Sequence, residues 1–172
     1  MKILIATDGT LDPLAVAEPA ARLANDAGEI TVLTVVEVPR RLLTDLRAVY
    51  GESSAAAPVD ESLETAGHTT PRPHLTLDWP GDDTFLNRYV DDQKIARTES
   101  IVAALADRGI TAEVLAVDSE DPVSAILTVA TSGKYDVLCI GTHGLGRFDG
   151  LLGSTSTKLI RRSPCAVLMI RT

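Results

Sequence analysis

Two hydrophobic patterns alternate along this chain. Residues 2–7, "KILIAT", form a short continuous apolar run. Residues 29–39, "EITVLTVVEVP", are apolar and β-branched, the look of a central parallel strand covered on both faces. "ITAEVLAV" (110–117), "YDVLCIG" (135–141) and "PCAVLMIRT" (164–172) are three further strand candidates. Between these runs the apolar residues recur at helical spacing. Asp12 suits a helix cap and Pro13 the first helical position, with Leu14, Ala17, Ala21 and Leu23–Ala24 as the apolar stripe and Gly28 as the stop. Pro19 falls inside that segment and predicts a kink or a later start. In residues 91–109, Ile95, Ile101–Val102 and Leu105 share a face and Gly109 closes the helix. Asp121 and Pro122 open another helix through residue 133, and a last one is expected over 154–162.

The regular pattern breaks over residues 40–90. "RRLLTDLRAVYG" (40–51) reads as a short amphipathic helix, and residues 52–73 are small, acidic and Pro-bearing, as in a loop or disordered linker. Residues 74–90 alternate at Leu75 and Leu77, turn at Pro80–Gly81 and hold Trp79. The order is β-α-β-insertion-α-β-α-β-loop-α-β. It predicts one α/β domain over 1–172, a doubly wound five-stranded parallel sheet of order 3-2-1-4-5 with helices on both faces, and a long insertion (40–90) after strand 2. That insertion is either a lid over the crevice or a partly disordered surface loop.

In this order strands 1 and 4 are neighbours, and their carboxyl ends meet at the switch point where ligands of such sheets bind. Those ends read "ATDGT" and "GTHGLG". The second opens the stretch "GTHGLGRFDGLLGSTSTK" (141–158), with five glycines in thirteen residues. Gly141 and Gly144 are suited to positive φ and leave amides unobstructed. Gly153, Ser154 and Thr155 begin a helix whose first amides and dipole favour an anion, a di- or triphosphate being the natural guest. Asp8 is placed to accept from a ribose hydroxyl or to help hold a divalent cation beside phosphates. Each feature has a plainer reading: Asp8–Gly9 as a simple turn, the glycines as loop punctuation, His143 and Arg147 as ordinary loop residues.

Composition narrows the classes. At 172 residues and 45 % apolar, the chain can bury a real core. No apolar run approaches the ~18 residues of a membrane-spanning helix, and "MKILIATDG" carries no signal-peptide pattern, so a cytoplasmic location is expected. The net charge of −8 argues against nucleic acid and anionic membranes as partners. Cys139 and Cys165 read as two buried thiols, and His68, His74 and His143 lack metal-ligand spacing.

The chain resembles the universal stress proteins. The resemblance rests on "ILIATDGT", "TVLTVVEVP", "DVLCIGTHGLG…LLGS" and "SPCAVLMIR", and spans everything outside residues 40–90. ATP-binding members carry Gly, two residues, Gly, nine residues, Gly and Ser or Thr. Here Gly141 and Gly144 match the first half and Gly153–Ser154 the end, with eight intervening residues, so the phosphate loop is one residue shorter. The resemblance implies that Ala6, Thr7 and Asp8 line base and ribose, and that the Val35 backbone contacts adenine. Ile140 and Gly141 would flank the ribose, and Gly144, Gly153, Ser154 and Thr155 would hold the phosphates of ATP or another adenine nucleotide, with Mg²⁺ beside Asp8. It also implies a homodimer through the last strand, Ala166 to Arg171.

Three functions follow as alternatives. The first is a regulatory module that binds ATP and hydrolyses it slowly or not at all. The second is a dimeric interaction protein of the same fold that has lost the nucleotide, which the shortened loop favours. The third is an adenylating enzyme, against which "TDGTLD" lacks the expected Ser-Gly-Gly-rich loop.

Overall fold

The computed structural model describes residues 1–38, 82–142 and 152–171. Five strands, β1 (Lys2–Ala6), β2 (Glu29–Val36), β3 (Glu113–Asp118), β4 (Val137–Gly141) and β5 (Ala166–Ile170), form one sheet of order β3-β2-β1-β4-β5. Every neighbouring pair is parallel. Among the described residues four α-helices accompany them: α1 (Pro13–Ala24), α2 (Asp82–Ala106), α3 (Pro122–Ser132) and α4 (Ser154–Arg162). Residues 1–38 and 86–172 belong to one compact unit and residues 39–85 to another, of which Asp82–Phe85 are described.

Alternation along β1 builds two cores. Ile3 and Ile5 pack with Val32, Cys139 and Ile170 and with Val16, Ala17 and Ala20 of α1 and Ile101 and Leu105 of α2. Leu4 and Ala6 pack on the other face with Leu33, Leu138 and Ile140, against Val123 and Ile126 of α3 and Leu159 of α4. Ile3, Leu4 and Ile5 are fully buried, each contributing roughly 2 kcal/mol by leaving water. The register sets Ile5 beside Val32 and Cys139, so β1 is covered on both faces and flanked on both edges.

Local signals act as written at α1 and α3. Asp12 Oδ1 accepts from the amides of Leu14 (2.9 Å) and Ala15 (3.1 Å), and Pro13 takes the first position. Asp121 caps α3 in the same way, ahead of Pro122. Three expectations differ. Helix α1 starts at Pro13 rather than later and runs on through Pro19; Ala15, whose carbonyl loses that donor, is exposed to solvent. Its buried face is Val16, Ala17, Ala20 and Ala24, while Leu14 is exposed. The helix ends not at Gly28 but at Asn25, in the left-handed region at φ 50, whose amide donates to the Ala21 carbonyl. Gly28 answers a close approach instead: a Cβ there would lie 2.2 Å from the Ala24 carbonyl oxygen.

Helix α2 starts at Asp82, well before the expected Asp91, and Ile95 is exposed. Phe85, Leu86, Tyr89 and Val90 recur at helical spacing, but the polar run Asp91–Lys94 interrupts the stripe, so the periodicity is not sustained along the helix. The expected short helix at 40–51, the segment 52–73 and Trp79 lie outside the described residues. Among the described residues no helix is long and apolar enough to cross a membrane.

Candidate functional site

A cavity of ≈ 430 Å³ opens at the carboxyl ends of β1, β2 and β4, the place that the winding of the sheet prescribes. Its first wall is the end of β1. The ladder to β2 closes with the Thr7 amide donating to the Leu33 carbonyl at 2.9 Å. The chain then leaves the sheet: the Gly9 amide donates to Thr7 Oγ1 (2.9 Å), and Asp8 Oδ1 accepts from the amide (3.0 Å) and hydroxyl (2.6 Å) of Thr10. Asp8–Gly9 is therefore a side-chain-stabilised turn, and Asp8 still lines the cavity. Gly9 adopts φ +93, which favours glycine, and a Cβ there would approach Arg97 Cγ to 3.3 Å.

The opposite wall joins β4 to α4. The Thr142 amide donates to the Ile170 carbonyl (2.9 Å), and the Gly153 amide donates back to the Thr142 carbonyl (3.0 Å). Ser156 Oγ donates to the Gly141 carbonyl (2.8 Å), fixing the first turn of α4 to the end of β4. Gly153 is the cap residue, and among the described residues no side chain caps the helix. The amides of Ser154, Thr155 and Ser156 thus have no intrahelical acceptor. Gly153, Ser154 and Thr155 line the cavity, and the dipole of α4 adds partial positive charge there.

Of the residues singled out in the sequence, Ala6, Thr7, Asp8, Val35, Ile140, Gly141, Gly153, Ser154 and Thr155 all line this cavity. Gly144 lies outside the described residues, as do His143 and Arg147. Positive φ at Gly141 is not what the structure shows. Among the described residues the glycines in that region are Gly9 and Gly109, whereas Gly141 closes β4 opposite Ile170. A parallel-strand pairing and left-handed backbone are incompatible at one residue.

The sequence reading missed Arg97, Glu37, Thr10, Ser119 and Ser156, which also line the cavity. Arg97 is the most consequential. Its Nη1 donates to the Val35 carbonyl (3.0 Å) and its Nε to Gln93 Oε1 (3.1 Å). One signal pointed to it: Arg97 stands one helical turn before the core residue Ile101, on the same face of α2.

A family model described as the universal stress protein family matches residues 1–171. A curated relative from Thermus aquaticus, a universal stress protein in the QAH/OAS sulfhydrylase 3′ region, is 37 % identical over 81 residues, or 46 % of this chain and 59 % of that protein. The match thus spans somewhat over half of that relative's length. Among solved structures, a universal stress protein from Archaeoglobus fulgidus in complex with dAMP aligns with a TM-score of 0.51 at 16 % identity, covering 99 % of this chain and 97 % of that one. A universal stress protein family protein from Arabidopsis thaliana with AMP bound gives 0.51 at 14 % identity, covering 99 % and 91 %.

Proposed function

The chain belongs to the universal stress protein family, and from that premise we propose that it is a regulatory adenine-nucleotide-binding protein. ATP is the ligand, held in the crevice between β1 and β4, and the output is a change of conformation or partner rather than a chemical product. The observation that carries this reading is the amino terminus of α4, which no side chain caps among the described residues. Its first amides border a cavity that also holds Asp8 and the ends of three strands. A phosphate satisfies those amides and meets the favourable end of the helix dipole. The cavity volume falls within the range of small-molecule sites. AMP and dAMP in the two solved family members support the same class of ligand.

Mg²⁺ would sit between the phosphates and Asp8. Among the described residues no three His, Cys, Asp or Glu side chains gather as a metal site, so the nucleotide itself would supply most of the ligands. Two further parts of the proposal are a cytoplasmic setting and a homodimer formed through β5.

The test is direct. Purified protein is denatured and the supernatant examined for adenine nucleotide by mass and absorbance. Thermal melts with ATP, ADP and AMP, with and without Mg²⁺, follow. Nucleotide at ~100 times its dissociation constant adds about 2.7 kcal/mol of stability. Gly153→Leu places a side chain among the phosphate-facing amides and abolishes that shift while the fold survives. A shift that persists in Gly153→Leu means the phosphates are held elsewhere; no nucleotide and no shift mean that the crevice serves another purpose.

A further inference from the structure

The end of β1 leaves a backbone acceptor on β2 without its ladder partner. In a parallel ladder, donors two residues apart on one strand meet acceptors two residues apart on the other. The Thr7 amide takes the Leu33 carbonyl, so the next pair would be Gly9 and Val35. The Gly9 amide instead turns to Thr7 Oγ1, and the Val35 carbonyl accepts from Arg97 Nη1 at 3.0 Å.

That guanidinium is held from two further sides. Gln93 Oε1 fixes its Nε, and its aliphatic stem lies against Gly9. Nη1 carries a second N–H, and a carbonyl oxygen has a second lone pair. A donor and an acceptor therefore stand side by side, 3.0 Å apart, on the wall of the cavity. They sit at its β2 end, two strand spacings or about 10 Å from β4 and the anion-favouring end of α4. A phosphate at α4 sends a nucleoside towards this pair.

We infer that Arg97 is a specificity-determining residue: together with the Val35 carbonyl it forms a composite edge that selects a 6-aminopurine. The carbonyl accepts from the exocyclic amino group, and the guanidinium donates to the ring nitrogen beside it. This is the acceptor–donor pairing by which an Asn or Gln amide reads adenine, assembled here from backbone and side chain. A 6-oxopurine brings an acceptor against the Val35 carbonyl, and the two lone pairs repel. The inference rests on the nucleotide reading above and deepens it.

Calorimetry on the full chain tests it with AMP, IMP, 1-deaza-AMP and 7-deaza-AMP. Each deaza analogue removes one ring nitrogen adjacent to the amino group. The wild type binds AMP, loses about tenfold with IMP and about tenfold with one of the two deaza analogues, as for one lost hydrogen bond. Arg97→Met keeps the stem against Gly9; it binds AMP about tenfold more weakly and no longer distinguishes AMP from that analogue. The wild-type series decides alone if melting shows that Arg97→Met does not fold. If both deaza analogues match AMP in the wild type, or Arg97→Met binds AMP as well as or better than the wild type, the composite edge is refuted while nucleotide binding stands. If neither AMP nor ATP binds the wild type, both readings fall together.

Discussion

Thr34 sits in the middle of β2, fully buried, and its hydroxyl has no hydrogen-bond partner among the described residues. A buried hydroxyl left unpaired costs on the order of 1–3 kcal/mol. Valine has nearly the same shape without that group. Thr34→Val is expected to stabilise the protein by about 1 kcal/mol, raising the melting temperature by about 2–4 °C, as read by thermal denaturation. Cys139 makes the opposite kind of demand. It is fully buried, and burial pushes its thiol up to about 12. A folded-state pKa raised in this way leaves stability intact below the unfolded thiol's pKa, near 9.0, and removes it as the pH climbs from there towards 12. Cys139→Ala therefore flattens the alkaline limb of the stability profile above about pH 9. In the native protein at pH 8, iodoacetamide modifies Cys165, which is half-buried, and spares Cys139 until the chain unfolds; mass spectrometry of the labelled peptides distinguishes them. At this scale the sequence announced what depends on neighbours in the chain, such as the Asp12 and Asp121 caps. It placed Arg97 on the face of α2 that carries Ile101 but not its role, which depends on where α2 crosses the end of β2.

Elements were legible where side-chain chemistry and periodicity agree. Helices α3 and α4 begin where Asp121–Pro122 and Gly153–Ser154 place them. The start of α2 was hard to read, because the polar run Asp91–Lys94 separates the apolar repeat at Phe85, Leu86, Tyr89 and Val90 from the core residues Ile101 and Leu105. The end of α1 was misplaced because Gly28 has a different duty, close passage by the Ala24 carbonyl. Capping carries a pH signature at α3. The Ser124 hydroxyl donates to Asp121 Oδ2 at 2.6 Å, and the Ser124 and Val123 amides donate to Oδ1. These bonds hold the Asp121 carboxyl below its ordinary 3.8, the Ser124 hydroxyl first among them. With the folded pKa lowered, the stabilisation is present above 3.8 and is lost as the pH falls through the folded value. Asp121→Asn keeps a capping oxygen but cannot titrate. Its unfolding midpoint in urea is expected to fall less steeply than the wild type's below about pH 4.

The molecule as a whole was legible because alternation and right-handed crossovers favour a doubly wound sheet, and its order, β3-β2-β1-β4-β5, determines where two strand ends meet. What the sheet leaves open is its outer edge. β5 is the last strand on one side, and its run "AVLMI" is apolar, a template for pairing with a second strand. The Ala166 amide donates to Asp136 and the Ile170 carbonyl accepts from Thr142, both towards β4. By alternation Leu168 also bonds inward, whereas Val167 and Met169 turn their N–H and C=O groups away from the sheet. This parity separates two proline substitutions that composition alone would treat as equals. Met169→Pro removes an outward donor, which an edge strand tolerates; it is expected to leave the fold intact and convert a dimer into a monomer by light scattering. Leu168→Pro removes an inward ladder bond and lowers the melting temperature whatever the oligomeric state. A wild type that is monomeric at high concentration, or a Met169→Pro variant that remains dimeric, would show that copies of this chain do not meet through β5.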